Sequence, residues 1–141
     1  MSDIETAKRL FVDGRYTCVL CRNGAVVTRT ERGIKPLIDF IDSGNDYRGF
    51  AAADKIVGKA AALLYVRLGI KALYAETLGV AAKDICVRYG ISVEYGTLTD
   101  GIVNRRGDGL CPMEKAVGNT DDPNVAYIAV KAALDALRQK R

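Results

Sequence analysis

The chain has 141 residues, 49% of them hydrophobic and 27% charged, with no histidine and no tryptophan. That length suits one domain of common size and that composition is ordinary for a globular protein, so neither a disulfide nor a metal is needed to stabilise a core. The net charge of +4 is partly the tail Arg138-Gln139-Lys140-Arg141, where basic residues complement a helix C-terminus. The short clusters Arg29…Arg32 and Arg105-Arg106 carry no interleaved aromatics, so a nucleic-acid partner is not expected.

Residues 3–14 read as an amphipathic helix, with Ile4, Ala7, Leu10 and Phe11 on one face and Gly14 as its stop. Tyr16 to Arg22 is β-rich. Asn23-Gly24 then offers a type I′ turn, and Ala25 to Thr30 returns as the second strand of a hairpin. Lys35 to Ile41 follows as a short helix opened by Pro36. Ala51 to Leu68 is apolar around most of a helical circumference, which predicts one central, buried helix ended by Gly69. Lys59 and Arg67 interrupt its most apolar part, Ile56 to Leu68, so it does not qualify as a membrane span. Ile70 to Ala75 is a strand candidate. Thr77 is placed to cap a helix running to Tyr89, and Ile91 to Tyr95 is a further strand. This alternation predicts a parallel pair inside a mixed sheet. The glycine-rich stretch from Gly96 to Leu110 reads as irregular chain around one short strand, Gly101 to Asn104. Cys111-Pro112 and Asp122-Pro123 each look like helix starts, the second opening an alanine-rich last helix.

The N-terminal residues Met1 to Glu5 lack the apolar run of a signal peptide. The expectation is a soluble, cytosolic protein in which Cys18, Cys21, Cys86 and Cys111 are reduced. Cys18-Val19-Leu20-Cys21 has the letters of a zinc or redox pair. On a strand, however, residues three apart face opposite ways, so the two thiols are expected to be small core residues.

Two groups of residues carry candidate chemistry. Asp54, Lys55 and Lys59 cluster at what reads as the start of a buried helix, where an ammonium must reach solvent, a carboxylate or an anionic ligand. Cys111 sits at a helix N-cap, a position that favours thiolate. Glu114, three residues on, is placed to cap the helix or carry a proton. Asn104 and Arg105 lie just upstream on the glycine-rich loop.

The run Ala52-Ala53-Asp54-Lys55-Ile56-Val57-Gly58-Lys59-Ala60-Ala61-Ala62, followed by Asn104-Arg105 and Cys111-Pro112-Met113-Glu114, resembles a family of unassigned activity with a cytidine-deaminase-like fold. The resemblance spans roughly residues 5–118. It implies an α/β three-layer sandwich, a mixed sheet flanked by helices, with the ligand pocket between two helix N-termini. In zinc deaminases the first of those helices carries a histidine and a glutamate and the second a Pro-Cys-x-x-Cys pair. Here the first slot aligns with Ala53-Asp54-Lys55 and the second with Thr77-Leu78-Gly79-Val80, and neither holds a zinc ligand in the expected place. The implied protein uses no zinc and no other cofactor.

The expected site comprises Asp54, Cys111 and Glu114 as reacting groups, with Lys55, Lys59, Asn104 and Arg105 as ligand-binding groups. The expected ligand is nucleotide-like or another small anion, bound with or without turnover. The alternative is a non-catalytic module that binds a ligand or a partner, a second copy of the chain included. No membrane partner is expected.

Overall fold

In the computed structural model, which describes residues 1–102 and 111–139, the chain order is α1 (Asp3–Asp13), β1 (Cys18–Arg22), β2 (Ala25–Arg29), α2 (Lys35–Asp42), β3 (Ala51–Val57), α3 (Lys59–Leu68), β4 (Ala72–Gly79), α4 (Val80–Arg88), β5 (Ser92–Thr99), α5 (Pro112–Val117) and α6 (Pro123–Gln139). The strands form one sheet in the order β2-β1-β3-β4-β5. β1 is antiparallel to both β2 and β3, whereas β3, β4 and β5 run parallel. The mixed sheet between helical layers is the α/β sandwich that the sequence predicts.

Local chemistry explains the first hairpin. Asn23 and Gly24 both take positive φ, 50° and 85°, as a type I′ turn requires. The alternation along β1 then divides the cysteines as expected. Cys18 and Leu20 face the larger core beneath α3, while Val19 and Cys21 pack under α1 with Ala7 and Phe11.

The segment 51–68 is not one helix. Its first part is β3, a central strand, and only Lys59–Leu68 is helical. The cause is tertiary. Ala52 faces the α3 side and Ala53 packs beneath α1, so the first half of β3 is covered on both faces and lacks the polar alternation of a half-exposed strand. Alanine favours a helix in isolation, but two hydrogen-bonded neighbouring strands override that preference. The expectation of burial on all sides does hold for α3, whose Ala60 through Tyr65 are all buried. The helix is wedged between the sheet and α6, with α2 and α4 flanking it.

β4 continues to Gly79, so Thr77 is a strand residue paired with Ile56 and Thr97 rather than a helix cap, and α4 begins at Val80. β5 likewise runs past Tyr95 to Thr99. Here β-branched residues flanked by a parallel neighbour extend the strands beyond the apolar runs that announce them. Gly101 and Ile102 are not in a strand, and the rest of that expected strand lies outside the described residues. Both proline-opened helices form, α5 with Cys111 at its N-cap. No helix among the described residues is long and apolar enough to cross a membrane.

Candidate functional site

Parallel strands β3 and β4 each turn through a glycine into a helix, Gly58 before α3 and Gly79 before α4. Ligands of open α/β sheets bind outside these carboxyl ends. A cavity of about 430 Å³ opens there, within the range typical of small-molecule sites. β3 and its turn contribute Asp54, Lys55, Ile56 and Gly58, and α3 contributes Ala60 and Ala61. Thr17, which precedes β1, and Arg32, Ile34 and Leu37 around the start of α2 form a second side. Ile102, Cys111, Met113 and Glu114 close the third. Most of the wall is apolar.

Asp54 is a half-buried carboxyl in that wall. Its Oδ2 accepts a 2.5 Å hydrogen bond from the phenol of Tyr65, a fully buried residue of α3. Loss of water raises the Asp54 carboxyl to a pKa of about 6, against the opposing pull of the Tyr65 hydroxyl and the Lys55 and Ile56 amides. The Tyr65 oxygen lies 3.4 Å from Cys18 Sγ. Because the phenol donates to Asp54, it is left to accept from the Cys18 S–H, and burial pushes that thiol up and keeps it protonated. The floor of the cavity therefore rests on a line of three hydrogen-bonding side chains from β1, α3 and β3.

Glu114 has a different role. Its Oε1 accepts from the Lys59 amide at 2.7 Å and its Oε2 from the Ala60 amide at 2.8 Å. A carboxylate from α5 thus caps the N-terminus of α3, where the helix dipole favours negative charge. The fit depends on Gly58, since a Cβ there would lie 1.9 Å from Glu114 Oε1 and 2.8 Å from Ile102 Cγ1.

The structure brings Asp54, Lys55, Cys111 and Glu114 together around one cavity. It turns Lys59 away. The Lys59 ammonium pairs with Asp121 at 3.0 Å and reaches the Gly118 carbonyl at 3.3 Å. Asp54, Lys55 and Lys59 do not cluster at a helix start, because Asp54 and Lys55 are on β3 and only Lys59 is on α3. Nor is Asp54 a helix N-terminal charge, because α3 starts five residues later. The first helix N-terminus is Gly58-Lys59-Ala60 rather than Ala53-Asp54-Lys55, while the second falls in Thr77–Val80 as expected. Asn104 and Arg105 lie outside the described residues.

Sequence reasoning missed Tyr65, Thr17 and Arg32. Tyr65 gave one signal. A tyrosine within an alanine- and leucine-rich buried helix must find a partner for its hydroxyl.

The family described as TM1506, domain of unknown function (DUF1893), matches residues 6–134. The chain belongs to the DUF1893 family. Among solved structures it is similar to a DUF1893 family protein (TM1506) from Thermotoga maritima, at 22% identity and a TM-score of 0.82, over 96% of this chain and 91% of that one. That likeness shows the fold. A dCMP deaminase from the cyanophage S-TIM5, in apo form, aligns at 14% identity and a TM-score of 0.45, over 65% of this chain and 92% of that one. No curated protein matches. In this DUF1893 chain the residues at the two helix starts, Lys59-Ala60-Ala61 and Val80-Ala81-Ala82, include no zinc donor. Among the described residues no three His, Cys, Asp or Glu side chains cluster as a metal site would require.

Proposed function

We propose that this DUF1893 protein binds a small anionic, nucleotide-like ligand in the cavity between β3, α2, α3 and α5, and that Asp54 exchanges a proton with it. The observation that carries this reading is a half-buried carboxyl, raised to about 6 by desolvation, in the wall of an otherwise largely apolar cavity. A group with a pKa close to physiological pH both accepts and returns a proton efficiently. The exposed Lys55 and Arg32 at the rim supply positive charge for an anionic substituent, a role in which Arg32 replaces Lys59. Cys111 lines the same space, and Glu114 builds the wall by holding α5 against α3. The chemistry assigned to these residues needs no zinc. A cytosolic setting belongs to this reading and is supported by four unpaired cysteines, three of them buried.

One observation limits where the ligand's negative charge can sit. The amides of Lys59 and Ala60 are already held by Glu114, so the α3 N-terminus is not open to a ligand anion as the structure stands.

A thermal-shift screen with nucleosides, nucleotides and small phosphorylated metabolites tests the proposal. A ligand at 100 times its dissociation constant adds about 2.7 kcal/mol of stability. The reading expects a shift that Asp54→Asn and Lys55→Ala reduce. Turnover of the ligand by the native protein, lost in Asp54→Asn, separates the enzyme from the binding module. A shift that is indifferent to both substitutions would move the ligand out of this cavity.

A further inference from the structure

Tyr65 lies outside the cavity wall, yet it makes the strongest contact to the group on which the proposed function depends. Its side chain is fully buried, with the hydroxyl 2.5 Å from Asp54 Oδ2 on one side and 3.4 Å from Cys18 Sγ on the other. A helix as apolar as α3 has no packing need for a phenol, since phenylalanine would fill the same volume without a polar atom to satisfy. The hydroxyl is matched by two partners brought from two different strands. One of those partners faces the cavity.

We propose that Tyr65 is a positioning residue for Asp54, its hydroxyl fixing Oδ2 so that Oδ1 is the oxygen offered to a ligand. This deepens the proposed function and rests on it, because the role concerns the cavity that the ligand is argued to enter. With Oδ2 held by the Tyr65 hydroxyl, Oδ1 is the oxygen of ionised Asp54 that no side-chain donor holds among the described residues. That selects a ligand with an N–H or O–H donor at the cavity floor and its negative charge toward Lys55 and Arg32.

The arrangement makes the floor sensitive to pH around neutrality. The groups facing Asp54 are the Tyr65 hydroxyl from α3, the Cys18 thiol beyond it on β1, and the Lys55 and Ile56 amides of its own strand. Across the cavity stand Arg32, the Lys55 ammonium, Cys111 and the Glu114 carboxylate. Of these, the Tyr65 hydroxyl is the side chain bonded directly to the carboxyl. A hydrogen bond to the ionised form stabilises it, so removing the hydroxyl must raise the carboxyl further.

The test needs no ligand, so it can fail while the ligand screen succeeds, and the reverse. The Asp54 side-chain carboxyl is followed by carbon-13 NMR from pH 4 to 9 in the native protein and in Tyr65→Phe. The expected result is a midpoint near 6 in the native protein and an upward move of about one unit in the variant, with backbone amide shifts elsewhere preserved. An unchanged midpoint in a folded variant would overturn the proposal. In the native protein, the Tyr65 hydroxyl proton is expected to be protected from exchange and to shift through the same midpoint as Asp54. A freely exchanging hydroxyl, or one indifferent to that titration, overturns the proposal even where Tyr65→Phe does not fold.

Discussion

The turns that follow β3 and β4 lie side by side in one sheet, and their residues correspond one for one. Asp54 pairs with Ala75, Ile56 with Thr77 and Val57 with Leu78, and the next residues are Gly58 and Gly79. Each glycine is the N-cap of a helix, with extended backbone and no side-chain cap bond of its own. The two turns are nevertheless used differently. At the first, Asp54 stands in the cavity wall and the Glu114 carboxylate fills the helix start. At the second, the register partner of Asp54 is a buried alanine, and the space beside Gly79 is bounded by backbone atoms and Ile102 at 3.7 Å or more. The same strand-to-helix device is therefore charged at one position and plain at its neighbour. Under the proposed function the β3 turn carries the chemistry, and the β4 turn is scaffold.

Gly58→Ala should break the first turn most severely. The new Cβ lands on Glu114 Oε1 at 1.9 Å and on Ile102 at 2.8 Å. The carboxylate must then leave the two amides that hold it. Overpacking costs about 1–3 kcal/mol, and the lost charge-assisted bonds bring the expected loss to about 3 kcal/mol or more. Urea denaturation measures it. In a Glu114→Ala background the same substitution should cost much less, and purely additive costs would show that the clash with Glu114 is not its source.

Asp54→Asn should sharpen the contrast in the opposite direction. The folded carboxyl has a pKa of about 6 against an ordinary value of 3.8, so the native state keeps a proton that the unfolded chain releases. Stability contributed by the neutral carboxyl is intact below about pH 4 and is lost as pH rises to 6. That difference corresponds to roughly 3 kcal/mol. The asparagine variant, which cannot ionise, is therefore expected to exceed the native protein in stability by up to about 3 kcal/mol at pH 8, with the gap closing toward pH 4. Melting temperatures at the two pH values check this, and a gap that does not vary with pH would contradict the desolvated carboxyl.

Much of the scaffold was legible because it is written locally. Asn23-Gly24 dictates its hairpin through positive φ, Cys111-Pro112 opens α5, and the apolar circumference of α3 announces its central place. β3 was illegible for the reason it is well packed. Three consecutive alanines under α1 and α3 look like helix when only the sequence is weighed, and what makes them a strand is hydrogen bonding to β1 and β4. The site inherits that error. Asp54 stood out as a helix-start charge, whereas its significance comes from Tyr65, eleven residues on, and from a cavity closed by α5, more than fifty residues on. Lys59 stood out for its buried position and is satisfied by Asp121. Pairings of this length leave no periodicity to read.

Glu114→Gln probes the first turn more gently. The amide keeps the shape of the side chain but turns one acceptor into a donor facing a backbone N–H. The expected cost is about 1–2 kcal/mol, the scale of a charge-assisted hydrogen bond exchanged for an unsatisfied one. Hydrogen exchange should localise the effect, with faster exchange of the Lys59 and Ala60 amides and little change at Val80 and Ala81. Equal acceleration at both helix starts would mean that Glu114 stabilises the sheet end generally and not α3 in particular.

Gly79→Ala should have the smallest effect and gives the comparison its control. An added Cβ meets only the Val57 carbonyl at 3.7 Å, Gly58 Cα at 3.8 Å and Ile102 Cδ1 at 3.9 Å, which is ordinary contact. The backbone, at φ −77° and ψ 148°, suits any residue. The substitution also restricts the unfolded chain, a gain of about 0.4–1 kcal/mol where the native conformation fits. A change between zero and a slight stabilisation is therefore expected in urea, together with unaltered ligand shifts. If Gly79→Ala instead cost as much as Gly58→Ala, the β4 turn would be as tightly built as the β3 turn, and the case for a single charged site at this end of the sheet would fail.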